Sequence, residues 1–233
     1  MNSTDKSLLA LARSEKPRKW LFYGDSITHG AAHTGGWRDY TEIFSERIRT
    51  ELQRSEDVVL KTAYNGNTTR HLLENFDWRV RQFQPHVVLI MIGMNDCCVE
   101  NGQPRVPLQE FRQNLLSLVK QIRSLASALP ILQTTCPILY GLDPKREPYL
   151  GKYMAVVRGV ANQTQAPLVD HFAYWKRLAR LNGYEPDAWM DDALHPNEKG
   201  HRVFAGFVFK KLGIFDAKSK TCKMSDPRSP ANT

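Results

Sequence analysis

Three residue types that nucleophilic catalysis requires occur in this chain at positions that could bring them together. Ser26 follows an apolar run and the break Gly24-Asp25, and it is the candidate nucleophile. His195 is the candidate general base, and Asp192, three positions earlier, is the candidate carboxylate that orients the imidazole and stabilises its cation. Together these side chains could attack a carbonyl group through the serine hydroxyl and form a covalent acyl intermediate.

Each of these residues also has a purely structural interpretation. Ser26 could cap the helix that follows it, because serine satisfies the free N–H groups at helix amino ends. His195 precedes Pro196 and could be an ordinary loop histidine. Asp191 competes with Asp192 as the partner of the imidazole, although the spacing of three residues favours Asp192.

Two further polar breaks follow apolar segments in the same manner. Gly66 lies in the break after segment 58–64, and Asn95 lies in the break after segment 86–92. Because the carboxyl ends of parallel strands meet at one edge of a sheet, these breaks should converge with the one at Ser26. The alternative is that Gly66 and Asn95 are only turn residues.

The segments that must position these residues alternate between strand and helix patterns. Apolar runs predict five strands, at residues 20–24, 58–64, 86–92, 131–135 and 167–170. Periodic apolar residues predict helices at about residues 39–53, 72–80, 108–129, 149–163, 172–182 and 198–212. The alternation predicts an α/β protein whose doubly wound parallel sheet carries the candidate residues on one edge.

The composition limits the functional classes. A chain of 233 residues suits one large α/β domain. The formal net charge is +8, but the basic residues are spread without a basic arm or a nucleic-acid motif, so we predict no nucleic-acid partner. We find neither a secretory signal nor a run of about 20 apolar residues, so we predict a cytoplasmic protein without a membrane span.

The remaining reactive side chains carry no further motif. The four cysteines form no C-x-x-C pair and are expected to be reduced thiols. The other histidines have no metal-ligand spacing, so we predict neither a metal nor a cofactor. Asp25 and Asp96 are interpreted as structural hydrogen-bonding groups. Several side chains are candidate substrate contacts at the rim of the active edge, with packing as the alternative for the aromatic ones: Trp37, Arg38, Tyr140, Lys145, Arg146, Tyr149 and Trp189.

Taken together, the motifs resemble those of the SGNH, or GDSL, hydrolases. The sequences Gly24-Asp25-Ser26-Ile27, Gly66, Gly93-x-Asn95-Asp96 and Asp192-x-x-His195 match the four blocks of that family in their order. The match spans about residues 20–213, and the G-x-S-x-G motif of α/β-hydrolases is absent. The resemblance implies a three-layer α/β/α fold of the flavodoxin-like type with a five-stranded parallel sheet. We expect this hydrolase domain at residues 19–215, between an N-terminal extension at 1–18 and a polar tail at 216–233, which we expect to be frayed.

The resemblance also implies a role for each motif residue. Ser26 would be the nucleophile, and its backbone N–H would form an oxyanion hole with the Gly66 N–H and the Asn95 side-chain amide. His195 would act as base and then as acid, and Asp192 would orient it. Glycine lets the backbone approach a substrate without a Cβ, and asparagine is a neutral donor. We expect the Asp192 carboxylate to raise the pKa of His195.

We therefore predict a serine hydrolase that cleaves carboxylic esters through an acyl-enzyme without a cofactor. Short acyl groups are favoured, including an acetyl group on a carbohydrate, because the predicted helices and strands leave little chain for a deep acyl tunnel. Two alternatives remain open: a lysophospholipase or thioesterase for long acyl chains, and a non-catalytic ligand-binding module on the same fold. The four intact motifs count against the binding module.

Overall fold

The computed structural model describes residues 16–30, 32–126, 128–182 and 186–225. Residues 1–15 of the predicted extension and residues 226–233 of the predicted tail lie outside this part of the chain, as do residues 183–185. None of the described helices combines the length and the apolar character that a bilayer crossing demands.

A five-stranded sheet forms the centre of the fold. Its strands are β1 Lys19–Gly24, β2 Val58–Lys61, β3 Val87–Met91, β4 Leu129–Gln133 and β5 Leu168–Val169. All of them are parallel, and their order is β2-β1-β3-β4-β5. This is the order of flavodoxin-like doubly wound sheets, so the predicted fold class is confirmed. The apolar residues of β1 and β3 are buried because these strands lie inside the sheet and are covered on both faces.

The helices form two groups that provide the outer layers. The helices are α1 Ser26–His29, α2 Tyr40–Glu46 with a π-helical continuation Arg47–Glu51, α3 Thr69–Glu74, α4 Phe76–Arg79, α5 Leu108–Arg123, α6 Glu147–Thr164, α7 His171–Asn182, α8 Glu198–Leu212 and α9 Lys220–Met224. In one group, α2, α7 and α9 contact α8. In the other group, α3 and α6 contact α5. Apolar side chains from the helices and the strands form one continuous core.

The junction between β1 and α1 explains the residues around the candidate nucleophile. Gly24 pairs with Met91 of β3, and a Cβ at residue 24 would lie 2.2 Å from the Met91 carbonyl oxygen. Only glycine therefore allows β1 to approach β3 this closely where the chain turns. Asp25 caps α1 by accepting a hydrogen bond from the Ile27 N–H at 3.1 Å. Since Asp25 supplies the side-chain cap, capping does not account for Ser26.

Two elements differ from the sequence-based prediction in the middle of the chain. Helix α5 ends at Arg123, because Leu125 lies in a buried turn and Leu129 already belongs to β4. The apolar periodicity continues across this boundary, so it overestimates the length of the helix. A short antiparallel hairpin, formed by Val99–Glu100 and Gln103–Pro104, was not predicted because a strand of two residues has no recognisable period.

The chain after residue 215 also differs from the prediction. Residues 216–225 are not frayed, since α9 buries Thr221, Cys222 and Met224. The Thr221 N–H donates a hydrogen bond to Glu51 Oε1 at 2.9 Å, which ties α9 to the π-helical turn after α2. A few buried side chains on a short polar helix are thus enough to dock this segment.

Candidate active site

Ser26, His195 and Asp192 form a continuous chain of hydrogen bonds beside the carboxyl end of β1. Ser26 Oγ lies 2.8 Å from His195 Nε2, and His195 Nδ1 lies 2.7 Å from Asp192 Oδ2. Asp192 Oδ1 accepts hydrogen bonds from the backbone N–H groups of Leu194 at 2.8 Å and of His195 at 2.7 Å. These backbone bonds fix the carboxylate so that its other oxygen faces the imidazole. The arrangement can transfer a proton from the serine hydroxyl to the imidazole.

The loop that carries the carboxylate and the imidazole is fixed at both ends. Met190 and Pro196 form an antiparallel bridge, and the Asp191 N–H donates to the His195 carbonyl at 2.8 Å. Asn197 then caps α8 by accepting hydrogen bonds from two N–H groups of its first turn. The local fold therefore holds His195 just before a long helix that is anchored in the core.

The candidate oxyanion donors lie on the loops after β1, β2 and β3. Ser26 is the first residue of α1, so its N–H has no partner within that helix. Gly66 has a φ of +76°, which favours glycine, and a Cβ there would meet no atom of the described residues within 4 Å. Asn95 Nδ2 donates to the Asn67 carbonyl at 3.0 Å, and Asn67 Nδ2 donates to the Gly24 carbonyl at 3.1 Å. These bonds tie the three loops together, and the second amide hydrogen of Asn95 remains for a ligand.

Two buried carboxylates lie next to the candidate site residues in the sequence. Asp25 Oδ1 accepts from Ile27, and Asp96 Oδ1 accepts from the Thr69 N–H at 2.8 Å and from the Thr69 hydroxyl at 2.6 Å. Burial raises the pKa of Asp25 to about 7 and the pKa of Asp96 to about 6. Both side chains bond to the first turns of helices, in agreement with their interpretation as structural groups.

His33 is a site residue that the sequence analysis missed. Its ring stacks on the ring of His195, with centroids 3.6 Å apart and planes inclined by 5°. His33 Nδ1 lies 2.8 Å from Asp191 Oδ2, and the nearest Asp192 oxygen is 3.9 Å away. Two aspartates that are neighbours in the sequence therefore pair with the two stacked imidazoles: Asp192 with His195 and Asp191 with His33. Sequence spacing gave no signal, because His33 and Asp191 are 158 positions apart.

His33, Asp192 and His195 also place three atoms of metal-ligand type within 4.8 Å of one another, although no ligand spacing was visible in the sequence. Binding of a cation requires ligand nitrogens that converge on one point. The two rings are nearly parallel, so their nitrogen lone pairs lie in parallel planes and do not converge on one point. We therefore interpret the cluster, together with Asp191, as two carboxylate–imidazole pairs.

The pKa of His195 lies below its ordinary value. Burial of the imidazole lowers this pKa most strongly, the hydrogen bond and charge of Asp192 raise it, and the charges of His33 and Arg146 lower it further. The expected effect of Asp192 is therefore present, but the expected net increase is wrong. The sequence could not show that only 15% of the His195 side chain is exposed.

We expect activity to rise with pH and to reach half its plateau below about pH 6.5, the ordinary pKa of histidine. A protonated His195 cannot accept the serine proton, so kcat/KM falls as the pH drops through its pKa, and a lowered pKa moves this fall to more acidic solution. The measurement is kcat/KM for p-nitrophenyl acetate across this range, with circular dichroism to show that the fold persists. A midpoint above about pH 7 would contradict the lowered pKa.

One of the predicted rim residues needs correction. Trp189 is only 1% exposed, and its ring packs edge-to-face on Trp175 at 5.1 Å. The 3-10 turn Pro186–Trp189 directs this side chain into the core, so Trp189 cannot be a rim contact. Arg146 is also held in place, because its Nε donates to the Met94 carbonyl at 2.9 Å, next to Asn95. This hydrogen bond connects Arg146 to the loop after β3.

The other predicted aromatic contacts lie on two separate surfaces. Trp37 is 54% exposed and lines a small cavity of about 40 Å³ beside Arg38, Arg202 and Met224. Tyr140 is 90% exposed and lines two adjoining grooves of about 580 and 450 Å³ between the loop after β4 and helices α6 and α7. None of these three cavities is lined by Ser26. Trp37 and Tyr140 therefore line different cavities, whereas Tyr149 is half-buried and packs against the core.

A parallel sheet with a Ser–His–Asp chain beside the end of its first strand is typical of serine hydrolases. Comparison with known proteins agrees, since residues 22–203 match the GDSL-like Lipase/Acylhydrolase family. The chain belongs to this family, as the sequence motifs indicated, and it is a carboxylic ester hydrolase.

Relatives of known name cover most of the chain. An acetylxylan esterase from Geobacillus stearothermophilus is 29% identical over 216 residues, which are 87% of this chain and 97% of the relative. The crystal structure of Axe2, an acetylxylan esterase from that organism, has a TM-score of 0.70 at 27% identity and covers 84% of this chain and 94% of its own. The thioesterase 1/protease 1/lysophospholipase L1 of Escherichia coli K12 is 25% identical over 193 residues, 82% of each chain. These names span different ester classes, so the family alone does not identify the substrate.

Proposed function

We propose that the protein hydrolyses short-chain carboxylic esters, with acetylated carbohydrates as the substrate class, through an acyl-enzyme on Ser26. The observation that carries this proposal is the hydrogen-bonded chain from Ser26 Oγ through His195 to Asp192. The acetylxylan esterase, which this chain matches over nearly its full length, supports the acetyl group and the carbohydrate.

In the proposed mechanism, His195 Nε2 accepts the Ser26 proton while Ser26 Oγ attacks the ester carbonyl carbon. Asp192 keeps the proton on Nδ1 and balances the charge of the imidazolium that forms. The oxyanion accepts hydrogen bonds from the N–H groups of Ser26 and Gly66 and from the Asn95 amide. His195 then gives its proton to the leaving alcohol, and a water molecule repeats the sequence to release the acid.

The two grooves beside Tyr140 do not include the nucleophile. A true acyl channel must begin at the nucleophile, because the reacting carbonyl carbon is attached to the chain that fills it. The two grooves beside Tyr140 are lined by residues such as Pro137, Ile138 and Phe172, and neither is lined by Ser26 or Asn95. These grooves are therefore poorly placed to take the acyl chain of an ester bound at Ser26.

A lysophospholipase or thioesterase activity is the second candidate. It is favoured by the similarity to the Escherichia coli thioesterase/lysophospholipase and by the apolar lining of the grooves. Under this alternative, the chain of a long ester would pass the loop that carries His195, because the Leu139 N–H of the groove loop donates to the Ala193 carbonyl at 2.8 Å.

An acyl-length series separates the two candidates. We expect kcat/KM for p-nitrophenyl acetate to equal or exceed that for the butyrate and octanoate esters, measured below the micelle threshold. In an acyl channel each buried CH₂ contributes about 0.8 kcal/mol, so kcat/KM should climb steeply with length. If octanoate exceeds acetate by about an order of magnitude or more, the long-chain alternative replaces our proposal.

The carbohydrate part of the proposal has its own test. We expect faster acetate release from an acetylated β-xyloside than from propyl acetate at equal concentration, because only the sugar has hydroxyl groups that can bond to exposed polar side chains beside the site, such as Asp191. Equal rates with both alcohols would leave short-chain ester hydrolysis intact and would remove the carbohydrate from the proposal.

Asn95→Ala should lower kcat by about 10²–10³-fold with little change in KM. The Asn95 amide hydrogen gains most when the carbonyl oxygen carries negative charge, so its loss weakens binding of the transition state more than binding of the substrate. Asn75→Ala is the matched control, since Asn75 lies at the end of α3 and bonds to the His71 carbonyl. An effect of Asn95→Ala that falls mainly on KM would place Asn95 in substrate binding instead.

A further inference from the structure

The loop between α1 and α2 brings a second imidazole to the candidate base. His33 lies in this loop, which follows the helix that begins with Ser26. The His33 N–H donates to the Gly30 carbonyl at 3.3 Å, and the next residue, Thr34, is buried. His33 is thus placed by the same stretch of chain that positions the nucleophile.

The contact between His33 and His195 is a full ring stack. With centroids 3.6 Å apart and planes inclined by only 5°, one whole face of the His195 ring is covered. The ring of His195 therefore cannot tilt toward that side unless His33 also moves. The His33 side chain is 25% exposed, so it stands between the base and solvent on this face.

Charge couples the two rings. Two positive charges at this separation repel, so a charge on His33 disfavours protonation of His195. In agreement, the charge of His33 lowers the pKa of His195. The other charged or titratable groups that act on the stack are Asp191 and Asp192 beside the rings, Arg146 before α6, and the buried His201 of α8.

We propose that His33 is a positioning residue for His195, whose stacked ring fixes the plane of the base and holds a second ionisable imidazole against it. The proposal rests on the proposed function, because His33 acts only through His195. Asp191 has a defined part in it: by pairing with His33 at 2.8 Å, it leaves the Asp192 carboxylate to His195. Two parallel carboxylate–imidazole pairs then replace the single pair of a simple triad.

Two variants of His33 separate ring packing from charge. His33→Phe keeps a flat ring against His195 but cannot hold a proton or bond to Asp191, and His33→Ala removes both properties. Loss of the nearby charge should move the acid limb of kcat/KM up by about half a pH unit in both variants. We expect plateau kcat to stay within about threefold in His33→Phe and to fall about tenfold in His33→Ala, with KM unchanged in both.

His86→Phe is the matched control. His86 precedes β3 at the amino edge of the sheet, where it accepts a hydrogen bond from the Lys19 N–H, so this variant should keep the wild-type pH profile. An acid limb that stays at the wild-type position in both folded His33 variants would overturn the proposal. The same shift in His86→Phe would overturn it as well, because the effect would then not depend on the stack.

A measurement on the wild-type protein covers the case in which the His33 variants do not fold. We expect the imidazole ¹⁵N resonances of His195 to change in more than one step with pH, because His195 senses the charge of the ring stacked on it. A single-step change at His195 would overturn the proposal. This readout needs no turnover, so the two failures can be told apart: a protein that cleaves no ester would contradict the proposed function, and an active enzyme with a single-step change at His195 would contradict only the role of His33.

Discussion

Ser26→Ala should lower kcat for p-nitrophenyl acetate by about 10⁶-fold. Ser26 Oγ is the oxygen that lies 2.8 Å from His195 Nε2, and without it no acyl-enzyme can form. The backbone N–H of residue 26 remains in the variant, so the residual rate reports what the oxyanion hole contributes by itself.

The Ser26→Ala substitution should remove the nucleophile without disturbing the fold. Asp25 supplies the side-chain cap of α1, so the change at Ser26 should not unfold the helix. We expect the melting temperature to stay within about 4 °C of the wild-type value, because the change removes the part-buried hydrogen bond to His195, which contributes about 1 kcal/mol. Ser117→Ala, on helix α5, is the matched control and should keep full activity.

A fluorophosphonate probe gives a second readout of the same residue. We expect one adduct per chain by intact mass, located on the Ser26 peptide and absent from Ser26→Ala. The hydroxyl of Ser26 is activated by His195, whereas the described segments 16–30, 32–126, 128–182 and 186–225 contain no other serine that is hydrogen-bonded to a histidine. Labelling that survives Ser26→Ala, or that maps to another serine, would show that the nucleophile lies elsewhere.

Elements with strong local signals could be predicted from the sequence. Helix α8 occupies Glu198–Leu212 as predicted, because Asn197 supplies an N-cap and Gly213 adopts the left-handed conformation that ends the helix. The buried strands could be recognised because both faces of a central parallel strand need apolar residues. The end of α5 could not be located, because Leu129 continues the helical period while it pairs with Val87 in the sheet.

The candidate site also contains residues whose positions could be predicted from the sequence and residues whose positions could not. The positions of Ser26, Gly66 and Asn95 follow from strand ends, which the sequence marks with glycine and polar residues. The His33 stack depends on the folding of a loop and on a contact over more than 150 positions, for which no local pattern exists. The two remaining differences from the prediction come from burial. The ring of Trp189 is buried, and burial lowers the pKa of His195. Neither effect can be predicted from residue type.

The second large expected loss of kcat concerns Asp192, whose neighbour Asp191 has the same side chain. Asp192→Asn should lower kcat by about 10⁴-fold, because an amide neither balances the imidazolium charge nor holds the proton on His195 Nδ1. The amide oxygen can still accept the two backbone bonds from Leu194 and His195, so the loop should stay in place.

Asp191→Asn is the matched control, since it makes the same chemical change one residue away. Asp191 bonds to His33 and not to His195, so we expect plateau kcat to fall by less than about tenfold. Both variants should be compared with wild type at a pH where His195 is neutral, so that a shifted acid limb does not mimic a loss of kcat. If Asp191→Asn were the more damaging change, Asp191 would be the partner of the base in solution, and the assignment of Asp192 would have to be reversed.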